Sequence, residues 1–225
     1  MAKVLVVAPH CDDEVLGCGG VIEKHAKAGD EVYVLMITNG HIGAPELFKA
    51  EDTAQNRVEA QVANDFLGVK EVIFFDFPAP RLDSIPSYTL SLAISKVIRG
   101  KEIEIMYIPH KGDIHRDHFV THECSLVAAR PINNCPVKTI YAYETLSETE
   151  WAMPSQNEAF IPTVFVNITD HIDSKIESFA KYEGQVKQFP HPRSAESIRA
   201  LAMHRGATVG FHYAEAFMLI RDIKN

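Results

Sequence analysis

Cysteine is sparse in this chain of 225 residues, and no two of Cys11, Cys18, Cys124 and Cys135 form a C-x-x-C pair. Reduced thiols and a cytoplasmic address are the expectation, because nothing at the N-terminus resembles a signal peptide. Long hydrophobic runs are missing too. The first apolar stretch, Val4 to Ala8, stops at Pro9, too short for a membrane span. There is no run of basic residues, and the formal net charge is −8. That excludes the basic footprint of a nucleic-acid binder, yet leaves room for an anionic small substrate held by one or two arginines. Internal repeats and low-complexity tracts are also absent. The remaining composition, 46% hydrophobic and 23% charged, is that of an ordinary globular protein. The length suits a single domain over residues 1–225.

Periodicity predicts strands alternating with helices. Val4 to Ala8 reads as a central strand buried on both faces, and Val15 to Ala28 as a helix stopped by Gly29. Val32 to Ile37 is a second strand. A long helix follows from Ala50 to Leu67, with apolar residues at Val58, Val62 and Phe66. Strands at Val69 to Phe75 and Ile103 to Ile108 flank a helix at Ser87 to Ile98. Later segments add a helix over Phe119 to Ala129, strands at Val137 to Tyr143 and Thr163 to Ile168, a helix from Asp170 to Tyr182 and a last helix from Ser194. Such alternation implies βαβ units and an α/β fold around a parallel sheet.

Two clusters follow strand-like runs. His10, Asp12 and Asp13 share one turn after the first strand, and adjacent carboxylates there are costly unless a positive group sits among them. His115-Arg-Asp-His118 follows the fourth. In an open parallel sheet both fall on the carboxyl edge, where ligands collect. His10, Asp13 and His118 form a two-histidine, one-carboxylate metal set with an open position, zinc being favoured over another divalent ion. The plainer reading has His10 packing locally and both aspartates capping the helix. Asp12 is then the spare carboxylate, a general base for the metal's water, or an N-cap, or both. A protonated His115 stabilises an oxyanion or protonates a leaving amine, with Asp117 holding the imidazole in its charged form. Alternatively, His115 and Asp117 only cap the helix start.

Two other patterns fail. His118 and His122 stand four apart, but Phe119 replaces the glutamate that H-E-x-x-H requires, so His122 reads as packing or support. Gly17-Cys-Gly19-Gly20 lacks the third glycine of a dinucleotide loop, because position 22 is Ile22, and reads as close helix–sheet packing. Cys11 is a minor ligand candidate, and the other cysteines read as core. Arg193, in the stiff loop Phe189-Pro-His-Pro-Arg193, grips a phosphate or carboxylate or stays in solvent.

The Ala-Pro-His10-Cys-Asp12-Asp13-Glu turn and His115-Arg-Asp-His118 resemble the signatures of the LmbE-like (PIG-L) zinc-dependent N-deacetylases. Arg57-Val-Glu59 is similar to the family's Arg-x-Glu element, and Arg205-Gly206, Gly210 and Tyr213-Ala-Glu-Ala-Phe217 also resemble bacterial members. The likeness covers essentially the whole chain. It implies one LmbE-like deacetylase domain with a Rossmann-like, mostly parallel sheet flanked by helices. It also implies zinc on His10, Asp13 and His118, Asp12 as base, His115 as electrostatic or acid partner, and Arg57 against the substrate. For Arg57 the alternative is a weak surface ion pair. The implied reaction removes acetyl from the nitrogen of a small GlcNAc-type amino sugar or conjugate. Rivals are a metal-dependent amidase for another N-acyl compound, such as a thiol conjugate or acylated antibiotic, and a non-catalytic metal- or sugar-binding protein. The oligomeric state is left open, a homo-oligomer included. Cys11 and Arg116 both stand where the family usually has proline, which bears on cleft shape rather than on the ligands.

Overall fold

Val4 to Ala8 carry no polar break, and they form the body of strand β1 (Lys3–Ala8), buried throughout because helices cover both faces of the sheet. The computed structural model describes residues 1–224. After β1 come α1 (Asp13–Lys27), β2 (Glu31–Asn39), the single turn α2 (Gly40–Gly43), α3 (Ala50–Phe66) and β3 (Glu71–Pro78). A 3-10 turn at Leu82–Ser84 leads to α4 (Ser87–Lys101), β4 (Ile105–Pro109), α5 (Arg116–Ala128) and β5 (Thr139–Tyr143). The chain ends with β6 (Val164–Asn167), α6 (Ile172–Phe179), α7 (Ala195–Ala207) and β7 (Ala214–Asp222).

The seven strands lie in the order β3-β2-β1-β4-β5-β7-β6. The pairings from β3 through to β5 are parallel, and β7 runs antiparallel to both β5 and β6. The expected mostly parallel sheet flanked by helices is therefore present. Strand pleating sends Val4, Val6 and Ala8 to one core with Val15, Phe179 and Ile198. Leu5 and Val7 go to the other, with Leu90, Ile94 and Cys124. No described helix is long and apolar enough to cross a membrane.

Helix α3 and strand β7 differ most from the sequence reading. Helix α3 turns Val58, Val62 and Phe66 outward, and its buried face is Glu59, Ala60, Ala63 and Asn64. The small alanines let α3 approach closely, so that Ser178 Oγ donates to Ala63 O at 2.9 Å and Asn64 Nδ2 to Glu14 Oε1 at 2.8 Å. Strand β7, absent from the expectation, is the antiparallel insertion between β5 and β6. The glycine run packs as expected. A Cβ at Gly17 would overlap the Tyr143 ring, and one at Gly20 the Ile168 side chain.

Candidate active site

Strands β1 and β4 are sheet neighbours, but the chain reaches β2 on one side of β1 and returns to β4 on the other. The strand order therefore reverses between them, which opens a crevice at their carboxyl ends. Both clusters emerge there. Pro9 O is fixed by Thr38, through its hydroxyl at 2.7 Å and its N–H at 3.2 Å. His10 and Asp13 leave that turn directly, while His115 and His118 begin α5.

His10 Nδ1 lies 3.3 Å from Asp13 Oδ2, and His118 Nε2 lies 3.2 Å from the same oxygen. One donor atom from each of these three residues falls within 4.8 Å of the others, as a metal site requires. His118 is fully buried, yet its Nε2 makes no hydrogen bond. An orphaned imidazole nitrogen facing a buried carboxylate fits a divalent ion. The opposite ring nitrogens are held by carboxylates. Asp117 Oδ2 stands 3.2 Å from His10 Nε2, and Asp113 Oδ2 stands 2.8 Å from His118 Nδ1. His10, His115 and Asp117 also lie close enough to form a second donor group. The carboxylate–histidine pairing of His10 with Asp117 favours the first set.

The charges follow from this crowding. Burial opposes a charged His10, but hydrogen bonds to Asp117 and Asp13 raise its pKa to about 9. For His118 burial is again outweighed, by Asp13 and Asp113, and the shift is upward. Asp13 moves well below the usual carboxylate range, because His118 and His10 overcome its burial. Asp12 moves the other way. Burial, then Asp13 and Glu14, push it up against the pull of Arg193.

Asp12 occupies the N-cap position of α1 but makes no side-chain cap. Its φ of 112° is strained for a residue with a side chain, typically by about 1–3 kcal/mol. The carboxylate instead faces Arg193 Nη1 at 3.0 Å, and Oδ2 forms no aligned hydrogen bond. The N-cap reading of Asp12 is thereby corrected.

His115 and Asp117 need a second correction. His115 Nδ1 accepts the backbone N–H of Asp117 at 3.1 Å, so the helix-start capping arrangement is present. The Asp117 carboxylate lies against His10 Nε2 and the Leu82 N–H instead. Burial, followed by repulsion from His10, lowers the His115 pKa to about 4. His115 is neutral near pH 7 rather than an imidazolium.

A cavity of about 230 Å³ is lined by His10, Asp12, Arg57, His115, Glu148 and Arg193, among others. Arg57 uses Nη2 on Phe75 O and Asp76 Oδ1, both at 2.6 Å. Arg193 is anchored through Nε to Ser147 Oγ at 2.8 Å and through Nη1 to Gln185 Oε1 at 2.6 Å. Cys11 lines the cavity outside both donor groups, its thiol pushed up by burial. His122 packs with Nδ1 on Pro109 O at 2.9 Å. Burial raises the carboxyl of Glu148 to about 7. Asp113 and Glu148 were not expected from the sequence. For Asp113 the available signal is a carboxylate five residues before His118 in a strand-to-helix loop. A larger groove of about 710 Å³, at Phe75, Phe77, Tyr88 and Leu92, shares no residue with this cavity.

Residues 5–129 match the PIG-L family, described as GlcNAc-PI de-N-acetylase. The diacetylchitobiose deacetylase of Thermococcus kodakarensis is 26% identical over 235 residues, spanning 98% of this chain and 84% of that protein. Among solved structures, N,N'-diacetylchitobiose deacetylase from Pyrococcus horikoshii superposes with a TM-score of 0.77 at 22% identity, covering 97% of this chain and 84% of that one. GalB, the 4-carboxy-2-hydroxymuconate hydratase of Pseudomonas putida, gives 0.78 at 23% identity, covering 100% and 99%. One fold thus serves both amide hydrolysis and hydration, and fold alone does not choose between them. The match over residues 5–129 does choose, since it carries both histidine clusters and more than half of the sequence: the chain belongs to the PIG-L family of GlcNAc-PI de-N-acetylases, hydrolases of amide bonds.

Proposed function

We propose that this protein removes the acetyl group from the nitrogen of a small GlcNAc-type amino sugar or its conjugate, with zinc held by His10, Asp13 and His118. One observation carries the reading. Three donors from two distant segments, the orphaned His118 Nε2 among them, converge beside a carboxylate that caps nothing. A divalent ion held by these residues would supply Lewis acidity for an amide carbonyl and would make a water acidic enough to deprotonate near neutral pH.

Asp12 takes the proton of the attacking water. Its raised pKa suits both receiving that proton and passing it on to the departing nitrogen. His115, with Nδ1 engaged as an acceptor, keeps its proton on Nε2 and donates it as a neutral hydrogen bond to the developing oxyanion. Asp117 and Asp113 orient the two imidazoles. Arg57, braced by Asp76, presents its remaining guanidinium N–H groups to polar substituents of the substrate. Arg193 acts at the same cavity, chiefly against Asp12.

The test is acetate release from zinc-loaded protein across N-acetylglucosamine, N,N'-diacetylchitobiose, a nucleotide-linked N-acetyl sugar and an N-acylated antibiotic. Acetate from one of the sugars supports the reading. Release only from the antibiotic moves the substrate to another N-acyl class. No release from any of them overturns the proposed hydrolysis.

A further inference from the structure

Glu148 lines the same cavity as His10, Asp12, His115 and Arg57 and takes no part in the steps above. Its backbone is held on both sides. Ile114 N–H donates to Glu148 O at 3.2 Å, and Glu148 N–H donates to Thr145 O at 3.1 Å. The preceding Ser147 has φ +71°, a left-handed turn that fixes where the next side chain points. The following Thr149 donates Oγ1 to Asp113 Oδ1 at 2.6 Å, and Asp113 in turn holds His118. Glu148 is thus in register with the histidine ligands rather than on a free loop.

Its carboxylate lacks a donor. The side chain is 12% exposed, and Oε2 is buried without a hydrogen bond. The guanidinium facing it, Arg193 Nη2, stands 3.8 Å from Oε1, beyond hydrogen-bond reach. Arg193 is already committed to Ser147, Gln185 and Asp12. A buried acceptor left unpaired is costly, and on a cavity wall a ligand that brings the donor removes that cost.

We propose that Glu148 is a specificity-determining residue of this cleft, accepting a hydrogen bond from a hydroxyl of the substrate's sugar ring. The assignment rests on the amino-sugar reading above. It favours neutral, hydroxyl-bearing rings and disfavours a phosphate or carboxylate at the same place, where two anions would meet.

The test is a double cycle on protein and substrate. Zinc-loaded wild type, Glu148→Ala and Glu148→Gln are assayed with N-acetylglucosamine and its 3-deoxy, 4-deoxy and 6-deoxy forms. Wild type is expected to lose about 10- to 100-fold in kcat/KM on one deoxy sugar, mostly through KM. Glu148→Ala shows a similar loss on the parent sugar and less than about a 2-fold further loss on that deoxy form. Glu148→Gln keeps an acceptor oxygen and recovers part of the loss. The side chain makes no hydrogen bond among the described residues, so neither variant is expected to melt below wild type. Independent, multiplying losses for all three deoxy sugars overturn the proposal. If wild type releases no acetate, dissociation constants for the same set are measured by calorimetry. Coupling there keeps the Glu148 assignment while discarding hydrolysis, and its absence overturns the assignment.

Discussion

Asp113 Oδ2 stands 2.8 Å from His118 Nδ1, and the contact turns His118 Nε2 toward Asp13 Oδ2, 3.2 Å away. A carboxylate accepts only, so Nδ1 keeps its proton on Asp113 and Nε2 is the nitrogen that gives up its proton to a metal. Removing the acceptor should therefore weaken the metal site without touching a ligand. Asp113→Ala is expected to lower zinc affinity about 10- to 100-fold. Competition against a chromophoric chelator measures it, and an unchanged affinity would remove Asp113 from this role.

Asp12 is placed as base rather than ligand. Asn tolerates the positive φ at this position better than most residues, so Asp12→Asn isolates the chemistry from the backbone. One equivalent of zinc is expected to bind, with turnover down by about 10²- to 10⁴-fold. Metal analysis beside an acetate assay checks both halves. Near-normal turnover would mean another group accepts the proton.

Lys175 and Glu215 form a buried ion pair at 2.6 Å, and Glu215 also accepts the N–H groups of Gly20 and Val21 within α1. The Lys175 ammonium reaches Leu16 O at 2.8 Å. Lys175→Met leaves Glu215 buried and charged without its counter-ion, at a cost of about 3–5 kcal/mol in unfolding free energy. Adding Glu215→Gln should restore part of that. Urea melts of the single and double variants test it, and a loss no smaller in the double variant would contradict the pairing.

Glu14 ties α1 to its surroundings through Tyr182, Asn64 and the Asp12 N–H. Burial outweighs these bonds and raises its pKa to about 7. The folded state then holds a proton that the unfolded chain, with an ordinary carboxylate, releases near pH 4.5. The stability linked to that proton is full below pH 4.5 and is lost as pH rises through 7, by about 3 kcal/mol in all. In metal-free protein, the stability difference between wild type and Glu14→Gln should therefore shrink or reverse across that window. A pH-independent difference would place the Glu14 pKa at its ordinary value.

Both histidine clusters were legible in the sequence because each follows an apolar strand directly, and parallel-sheet topology sends such segments to one edge. Side-chain direction was not. Asp117 stands two residues from His115, yet its carboxylate turns to His10, more than a hundred residues away, and only its N–H reaches His115. Asp113 and Glu148 belong to loops whose course depends on tertiary hydrogen bonds from Thr149 and Ile114. Strand β7 escapes periodicity because Ala214 to Phe217 are buried while Leu219 and Ile220 are exposed, so it shows neither clean alternation nor a buried run throughout. In α3 the largest apolar residues face outward and alanines face the core, which inverts the usual amphipathic signal.

Acetate release from N-acetylglucosamine, N,N'-diacetylchitobiose and a nucleotide-linked N-acetyl sugar, followed while zinc is titrated into metal-free protein, decides whether the activity is zinc-dependent deacetylation. Activity is expected to rise with zinc to one equivalent in wild type and to be absent in His118→Ala. Equal acetate release from fully chelated protein, or one tightly bound zinc with no acetate from any of these sugars, would contradict zinc-dependent deacetylation at this site.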